Sequence, residues 1–282
     1  MVKCVLHLKI EERLGDKTTM ANVLPRRRNQ LDRAAESWRP PLFRPVKTRA
    51  DRWFAAARRF LDLQAGSIWN DLSQLLPQRR GFVLDAGCGA QPYRFLVNPK
   101  ATYQGIDHAD AGRHFGYSMP DTTYYEGDRW PVSDASVDVV LSTETLEHVA
   151  DPPLYLTQAF RCLKPGGTLI LTVPFAARWH FIPNDYWRFT PSGLQRLLSA
   201  TGFTGVAVFA RGNVVTVACY KVMALLLRLV MPQTEALWTS IVLRALGILM
   251  LPFLILLALI ANLSLFFDGG DDCLGYTVIA LR

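Results

Sequence analysis

The chain has 282 residues, of which 50% are hydrophobic and 20% are charged, and it carries a net charge of +7 at pH 7. Length alone allows two domains, but the motifs described below occupy about residues 81–212 and leave too little chain for a second full domain. The five cysteines show neither paired nor metal-type spacing, which excludes a disulfide framework and fits a reducing compartment.

The N-terminal region is basic and rich in proline. Its apolar run Cys4–His7 is too short for a signal-peptide core, and Met20 is an alternative start of the chain. Residues 21–60 contain eleven basic and three acidic residues, a surplus larger than that of the whole chain. Because three prolines prevent a continuous helix, we expect a flexible arm over residues 1–49. Such an arm is either attracted to phosphate-bearing surfaces, nucleic acid or anionic lipid, or simply solvated.

A helix-like pattern begins near residue 50. Trp53, Phe54, Ala57 and Phe60 follow one another at helical spacing. We expect this helix to pack on a sheet just ahead of the first strand.

The first strand ends in an acid and two glycines. Phe82–Ala86 carries Asp85 near its end, and Gly87 and Gly89 follow at once. Glycine tolerates positive φ and has no Cβ, so backbone N–H groups of this turn can approach a ligand closely. The dinucleotide fingerprint needs a third glycine where Pro92 stands, which disfavours NAD and FAD. The sequence therefore predicts a turn that binds another cofactor.

The second strand also ends in an acid. Thr102–Asp107 is followed by a break, and Asp107 lies 20 residues after Gly87. This is the spacing of a carboxylate that binds ribose hydroxyls after one helix has been crossed. Further along, Gly127-Asp128 is either a cofactor loop or an ordinary turn.

The second half of the motif region alternates strands and helices. Val137–Ser142 indicates a fourth strand, and Glu144, Glu147 and His148 follow it. Leu163–Gly167 is expected to turn from a helix into a fifth strand. Thr190 is an N-cap candidate for a helix that starts with proline. The remaining predicted elements are the fifth strand 168–173, the helix 191–200, the sixth strand 203–210 and the last strand 275–281.

Taken in order, these motifs resemble the class I S-adenosylmethionine-dependent methyltransferases, whose first motif is hydrophobic-hydrophobic-Asp-x-Gly-x-Gly. The resemblance implies an α/β fold: a doubly wound, seven-stranded Rossmann-like sheet with an antiparallel last strand. It also implies that S-adenosylmethionine is the cofactor and that the acids and glycines named above hold it. The implied cofactor residues are Asp85, Gly87, Gly89, Asp107, Asp128 and Glu144.

The segment after the fifth strand resembles the His-x-x-Pro-x-Asp-Tyr-Trp-Arg-Phe-Thr signature of bacterial methyltransferases of surface-polysaccharide and lipid-linked glycan pathways. The resemblance implies that His180 is the general base and that Asp185 orients it or replaces it as the base. Tyr186, Trp187 and Arg188 would then bind the acceptor. Alternatively, the arginine bridges to a carboxylate and the aromatic residues belong to the core.

A competing base and a metal site are both conceivable in the segment after the fourth strand. His148 competes with the first-choice histidine, and the segment Glu144, Glu147, His148 is similar to one that binds a divalent ion in some quinone and small-RNA methyltransferases. The same letters occur in relatives without metal, and no metal is expected here.

The C-terminal region contains a long apolar block. Ala245–Phe267 has no charge across 23 residues, enough to cross a hydrocarbon core of ~30 Å. Val214–Met231 is also apolar but contains Lys221 and Arg228, which suits an interfacial helix or a poorer span. Pro252 is expected to kink or divide the second stretch. The alternative is a helix buried in a large core.

The block lies between two strands of one sheet, so both of its ends must return to the same side. A helical hairpin or an in-plane pair satisfies this condition, and a single crossing does not. The resulting organisation is a basic arm, a catalytic core, a hydrophobic helical hairpin associated with a membrane, and a final strand. The predicted bounds are 1–49, 50–212, 213–268 and 269–282.

These features predict an O-methyltransferase that acts on a membrane-presented acceptor such as a lipid-linked sugar or glycan. Because S-adenosylmethionine is a cytosolic metabolite, we expect the catalytic domain on the cytoplasmic side of a membrane with anionic lipid. Two alternatives remain: a quinone or isoprenoid-lipid methyltransferase, and a non-catalytic scaffold that binds S-adenosylmethionine at the membrane. Nucleic acid is not expected as a partner, because it would leave the apolar block without a role.

Overall fold

A computed structural model describes residues 30–41, 48–116, 118–267 and 269–282. The chain separates into two compact units, Met1–Ser37 and Trp38–Arg282. In the first unit the described residues contain one 3-10 turn, Gln30–Asp32. The alternative start and most of the predicted basic arm lie outside the described residues.

The second unit is built on a seven-stranded sheet with the order β3-β2-β1-β4-β5-β7-β6. The first five strands run parallel to one another, and β7 is antiparallel to both of its neighbours. The predicted Rossmann-like sheet with an antiparallel last strand is therefore confirmed. Its strands are β1 Phe82–Ala86, β2 Thr102–His108, β3 Thr122–Tyr125, β4 Val137–Thr143, β5 Leu163–Pro174, β6 Thr204–Arg211 and β7 Gly275–Leu281.

Helices cover both faces of the sheet and continue between its last two strands. Side-chain caps fix the starts of several of them, as where Thr48 and Asp51 form a capping box and where Thr190 accepts a hydrogen bond from the Gly193 amide. The helices are α1 Arg49–Leu61, α2 Leu63–Leu75, α3 Ala111–Phe115, α4 Pro152–Cys162, α5 Pro191–Thr201, α6 Val214–Val230, α7 Leu237–Leu249 and α8 Leu251–Ser264.

The strands β1, β4 and β5 are buried on both faces, as expected for a sheet covered by helices. Val83 packs with Leu72 of α2, whereas its neighbour Leu84 packs with Leu156 of α4 and Leu194 of α5. Because successive side chains of a strand point to opposite faces, one strand contributes to two cores. This arrangement holds the carboxyl ends of the parallel strands rigidly at one edge.

The fifth strand begins earlier than the sequence predicts. We expected a turn over Leu163–Gly167, but Leu163 already pairs with Val137 of β4. The side chains of the next residues also meet: the Lys164 ammonium group lies 2.8 Å from a carboxylate oxygen of Asp138. The register then shifts from Val137↔Leu163 to Val139↔Thr168, and Gly166 has a positive φ of 76°. The predicted glycine turn is therefore present, but as a bulge within the strand rather than ahead of it.

The apolar block between β6 and β7 forms three helices rather than two. The predicted division of the uncharged stretch is confirmed: the chain breaks at Met250, and Pro252 occupies the first turn of the following helix α8. In the described part of the chain, no single helix is both long and apolar enough to span a membrane. Helices α7 and α8 pass that test only as a pair, with a bend of 55° between them.

Part of the predicted N-terminal arm packs on the second unit. The Trp38 side chain is buried, and its Nε1 donates a hydrogen bond of 2.9 Å to the carbonyl oxygen of Met231. The expectation of a uniformly flexible arm up to residue 49 is therefore wrong for the described residues 38–41. Charge and proline content indicated a flexible arm, but no local pattern shows that the Trp38 side chain binds a partner 193 positions away.

Candidate functional site

The glycine turn lies between the ends of β1 and β2. Gly87 and Gly89 both have positive φ, at 70° and 50°. The amide of Gly87 donates to the carbonyl of Ile106, and a Cβ at position 87 would lie 2.2 Å from Cγ2 of Thr145. Only glycine fits the first position, because a side chain there would collide with the segment after β4.

The acid at the end of β2 is tied directly to this turn. Oδ2 of Asp107 accepts a hydrogen bond of 2.9 Å from the Gly89 amide, and Oδ1 accepts one of 2.8 Å from the His108 amide. Burial raises the pKa of Asp107, while the two amide hydrogen bonds act against that rise. The structure thus brings together the two features that the sequence predicted as a cofactor site.

The acid of β1 lies fully inside the protein. Oδ2 of Asp85 accepts a hydrogen bond of 2.7 Å from the Tyr103 hydroxyl, while Oδ1 is buried without a hydrogen-bond partner. Burial raises the pKa of Asp85 to about 7. These groups fit a cofactor that carries amino and hydroxyl groups. Oδ1 of Asp85 is a buried acceptor without a partner, the two glycines leave room for close approach, and the Asp107 carboxylate lies next to them.

The raised pKa of Asp85 predicts a pH-dependent stability. The folded protein keeps this carboxyl protonated up to about pH 7, whereas the unfolded chain releases the proton near its ordinary value of 3.8. Between these values the folded state binds more protons, so the free energy of unfolding falls as the pH rises. The asparagine of Asp85→Asn cannot ionise. In that variant the fall in the free energy of unfolding across this pH range should be smaller by up to about 4 kcal/mol. Urea unfolding of both proteins across this range checks it, and parallel pH profiles would contradict it.

The other two predicted cofactor residues have different surroundings. Asp128 is exposed in the loop after β3. Burial raises the pKa of the nearby Tyr125 phenol, and the charge of Asp128 adds a smaller rise. Glu144 has positive φ, and its carboxylate lies 2.8 Å from the guanidinium of Arg211 on β6. The structure therefore places Glu144 in an ion pair with the far side of the sheet rather than on the glycine turn.

A short bridge connects the glycine turn to the predicted acceptor segment. Thr145 donates a hydrogen bond from Oγ1 to the carbonyl of Gly87. Two residues further on, the carbonyl of Glu147 accepts hydrogen bonds from the amides of Tyr186 and Trp187, at 2.8 and 3.3 Å. The glycine turn and the acceptor segment are more than 90 residues apart in the sequence, and Thr145 and Glu147 connect them in the fold.

The predicted base and its orienter form one hydrogen-bonded group with an arginine. Nδ1 of His180 lies 2.9 Å from Oδ2 of Asp185 and 3.0 Å from the carbonyl oxygen of Arg178. A donor, Nη2 of Arg188, also faces Nδ1 but lies farther away, at 3.4 Å. Because the two nearer neighbours are acceptors, we assign the proton to Nδ1, which leaves Nε2 with a free lone pair. This is the tautomer that a general base requires.

Arg188 holds the orienting carboxylate. Its two terminal nitrogens lie 2.7 and 2.8 Å from the two oxygens of Asp185. Burial alone would raise the pKa of Asp185, but the hydrogen bonds from Arg188 and His180 hold it well below its usual range. The geometry supports Asp185 as orienter and not as base. The prediction that Arg188 binds the acceptor needs correction, because its guanidinium is engaged by this carboxylate.

The two predicted acceptor-binding aromatics stay open to solvent. Tyr186 is 50% exposed and Trp187 is 41% exposed. The indole Nε1 of Trp187 donates to the carbonyl of Val149, and its ring stacks on Phe189. Neither ring enters the core, which excludes that alternative, and acceptor binding by the two residues stays a prediction.

The competing histidine is poorly suited to act as a base. His148 lies beneath the rings of Phe115 and Phe181, at 5.1 and 5.6 Å between centroids, and its Nδ1 contacts the carbonyl of Asn184. Burial, with help from His180, lowers the pKa of His148 to about 4. A base this weak contributes little at neutral pH.

Three described residues could together hold a metal ion. One ligand atom each from Glu147, His148 and His180 lies within 4.8 Å of the others. Glu147 is fully buried, neither of its carboxylate oxygens has a hydrogen-bond partner, and burial raises its pKa well above its usual range. Glu144 does not belong to this group. A metal here would take a ring nitrogen of His180, the proposed general base.

Sequence reasoning missed Arg211, a buried side chain at the end of β6 that connects the neighbouring strand ends. This side chain is 3% exposed and donates to the Val173 carbonyl and to Oγ of Ser67 in addition to its ion pair with Glu144. It ties the ends of β4, β5 and β6 together. A lone arginine before a glycine gave no local signal, because all of its partners are distant in sequence.

A parallel sheet whose first strand ends in a glycine turn, and whose second ends in an acid bound to that turn, defines a Rossmann-like cofactor-binding enzyme. Residues 56–208, just over half of the chain, match the family model described as methyltransferase domain. The chain belongs to the class I S-adenosylmethionine-dependent methyltransferases, and S-adenosylmethionine is the cofactor.

Similar proteins carry related descriptions. A probable S-adenosylmethionine-dependent methyltransferase of Mycolicibacterium smegmatis is 33% identical over 33% of this chain and 37% of that protein. A ubiquinone biosynthesis O-methyltransferase of Dinoroseobacter shibae is 30% identical over 61% of this chain and 79% of that protein. A solved methyltransferase from Archaeoglobus fulgidus aligns with a TM-score of 0.47 and 16% identity over 82% of this chain and 99% of that one. The chain spans well under two thirds of the length of the first of these relatives.

Proposed function

We propose that this protein transfers the methyl group of S-adenosylmethionine to a hydroxyl group of a lipid-linked sugar or glycan. The observation that carries the proposal is the hydrogen-bonded pair of His180 and Asp185, which lies one short bridge away from the cofactor turn. A paired imidazole with a free Nε2 serves a reaction in which an acceptor must lose a proton. Methylation of a hydroxyl group is such a reaction.

The proposed chemistry is a direct displacement. When bound, S-adenosylmethionine supplies a methyl group on a sulfonium, and the acceptor oxygen forms a C–O bond as the C–S bond breaks. Nε2 of His180 takes the hydroxyl proton, and the carboxylate of Asp185 stabilises the imidazolium that results. Arg188 keeps that carboxylate ionised and fixed. Most of the rate is expected to come from alignment, so the rigid edge of the sheet is part of the mechanism.

The acceptor class follows from two features of the surface. Tyr186 and Trp187, which directly follow Asp185 in the chain, offer large, rigid and exposed rings, which suit a ring-shaped acceptor. The apolar helices α7 and α8 suit an acceptor that is carried on a lipid. A non-catalytic scaffold would need neither the hydrogen-bonded His180 and Asp185 nor the arginine that holds them, and we disfavour it for that reason.

A quinone or isoprenoid-lipid acceptor is the second candidate. It is favoured by the relatives named ubiquinone biosynthesis O-methyltransferase in Dinoroseobacter shibae and Azorhizobium caulinodans. This acceptor would also be water-insoluble and would also present a hydroxyl group. The two candidates share the site chemistry and differ only in what carries the oxygen.

The proposal is tested by supplying methyl-labelled S-adenosylmethionine to membranes from cells that lack this protein. We expect the added protein to transfer label into the lipid extract, and mild acid to release the label as a methylated sugar. A variant with Asp107→Ala is the control for transfer that does not depend on this site. Label that stays on an acid-stable, redox-active lipid would support the quinone candidate. No label in any lipid or glycan fraction would contradict both.

A further inference from the structure

Exposed apolar side chains are concentrated on two helices. Of the 28 large hydrophobic residues that are exposed in the described part of the chain, 16 lie between residues 237 and 267, on α7, α8 and the turn that follows. Single exposed hydrophobic residues are normal on a protein surface. A continuous field of them marks a contact with a partner or a membrane. We call these 16 side chains the apolar face.

Helix α8 shows why this face needs an apolar environment. Its buried residues Leu254, Ala258 and Ala261 form one narrow stripe, which packs against α6. Leu251, Leu257 and Asn262 are partly buried beside this stripe, the remaining side chains are exposed, and no charged residue occurs between residues 245 and 267. A helix that is apolar all round is stable only when its surroundings are apolar all round. The protein itself supplies this environment on one side only.

The exposed side of α8 offers no hydrogen-bonding groups. Its two polar side chains turn inward: Asn262 donates from Nδ2 to the carbonyl of Phe60, and Ser264 donates to the carbonyl of Ala261. Protein interfaces have a polar rim and carry roughly one hydrogen bond per 100–200 Å². A surface without donors or acceptors is instead what lipid chains require. The occupant that fits is therefore the interior of a bilayer.

Basic residues accompany the apolar face. Residues 213–267 contain Lys221, Arg228 and Arg244 against one acid, Glu235. On α1, which contacts α8 through the hydrogen bond to Phe60, Trp53 and Phe54 are more than three-quarters exposed and stand beside exposed arginines. Aromatic and basic side chains next to an apolar surface favour the headgroup region of an anionic membrane.

The helices are too short and too firmly anchored to cross. Helices α7 and α8 have 13 and 14 residues, about 20 Å each at 1.5 Å per residue, against a hydrocarbon core of ~30 Å. The end of α8 is held where Asn213 donates from Nδ2 to the carbonyl of Ser264, at 3.0 Å. Near the bend between the two helices, Gly247 of α7 packs so closely on α6 that a Cβ there would lie 2.6 Å from the Val230 amide nitrogen.

The loop between α6 and α7 is also attached to the catalytic unit. Trp38 donates from Nε1 to the carbonyl of Met231, and the amide of Arg39 donates to the Gln233 side chain at 2.9 Å. A crossing that started with α6 would carry this loop to the opposite side of the bilayer and break both contacts. The loop and the two strands that flank the helices therefore stay on one side.

We infer that α7 and α8 lie side-on in a single leaflet of an anionic bilayer, which they enter and leave through the same surface. The membrane contact itself is independent of the proposed function, which supplies only the reason for it: an acceptor that is carried on a lipid. The bend at Met250 then has a purpose, because it lets two short helices follow the plane of the leaflet. The catalytic edge stays in water next to acceptor headgroups.

Flotation with vesicles tests the surface. We expect the full-length protein to float with vesicles of phosphatidylcholine and phosphatidylglycerol, and much less with phosphatidylcholine alone. Leu256→Asp combined with Leu259→Asp should lower the bound fraction at least tenfold. Phe95→Asp combined with Phe209→Asp should not, although these four side chains are equally exposed, at 51 to 53%. Equal binding by both pairs, or none by the wild type, would overturn the inference.

A second outcome would also overturn it. If sedimentation without lipid shows a dimer that the Leu256→Asp, Leu259→Asp pair abolishes, and the wild-type dimer binds no vesicles, the apolar face is covered by a second copy. Neither result touches the proposed chemistry, because transfer to the acceptor can be measured in detergent with the same variants. Failure of transfer with normal vesicle binding would instead count against the proposed function alone.

Labelling distinguishes one leaflet from a crossing. Glu235→Cys and Asp271→Cys place thiols at the two ends of the α7–α8 pair in a Cys4→Ser background, and the remaining cysteines are buried. A membrane-impermeant maleimide added outside vesicles that carry the bound protein should label both positions to the same extent. Protection of position 235 alone, relieved when the vesicles are opened with detergent, would show a crossing and overturn the single-leaflet arrangement.

Discussion

Replacing His180 by alanine should lower the turnover by a factor of about 10² to 10⁴, the usual contribution of a general base. Nε2 is the one ring nitrogen of this residue without an acceptor beside it, because Nδ1 faces Asp185 and the Arg178 carbonyl. Loss of the ring removes the proton acceptor but leaves the glycine turn untouched. Turnover with the true acceptor should therefore collapse while the affinity for S-adenosylmethionine stays within about twofold of the wild type.

Controls separate this role from two others. His114→Ala removes an exposed imidazole from α3 and should change neither quantity. Asp185→Asn should cause a smaller loss, since it disturbs the tautomer of His180 without removing the ring. A chelator should have no effect. If it abolishes activity and a divalent ion restores it, His180 acts as a metal ligand with Glu147 and His148. Normal turnover of the His180→Ala enzyme would remove the residue from the mechanism.

The second large effect concerns the cofactor. Asp107→Ala should weaken the binding of S-adenosylmethionine by about ten- to a hundredfold, because it removes charge-assisted hydrogen bonds to two hydroxyls worth ~1.5–3 kcal/mol. The substitution also removes the carboxylate oxygen that accepts the hydrogen bond from the Gly89 amide, and this hydrogen bond fixes the glycine turn in the wild type. Titration calorimetry with purified protein measures the affinity directly.

Asp110→Ala is the matched control for this prediction. Asp110 is an acid three residues further along, and its carboxylate pairs with Arg113 rather than with the glycine turn. Its loss should leave the affinity for S-adenosylmethionine unchanged. Thermal unfolding of both variants shows whether the fold has survived. An Asp107→Ala protein that is folded and binds S-adenosylmethionine as tightly as the wild type would contradict the assignment of this carboxylate.

The cofactor end of the site could be predicted from the sequence because its signals are local. Gly87 and Gly89 stand at positions that need positive φ, and Asp107 follows near the end of the next strand. The helix crossing that the sequence predicts between the two strands is wrong, because residues 87–101 contain only the 3-10 turn Arg94–Leu96. The antiparallel pairing of the last strand, which is also confirmed, was implied by the family resemblance and not by a local signal. The glycine positions depend on backbone conformation, which short stretches of chain encode.

The partners within the acceptor site could not be predicted in the same way. The sequence named His180, Asp185 and Arg188 but could not decide whether the arginine binds the acceptor or the carboxylate. Only the fold shows that Arg188 grips Asp185 with both terminal nitrogens. Side-chain direction over a spacing of three to eight residues in an irregular segment depends on tertiary contacts, which no periodicity reports.

The sequence by itself determined that the chain forms a methyltransferase sheet with a glycine turn, a ribose-type acid and an apolar block before the last strand. Tertiary structure decided how long each apolar helix is, which faces are covered and which histidine is free. Val230 and Gly247 pack together, and Trp38 reaches Met231, because distant segments meet in the folded protein. Composition records how much apolar surface the chain has, but only packing decides which part of that surface is left for a membrane.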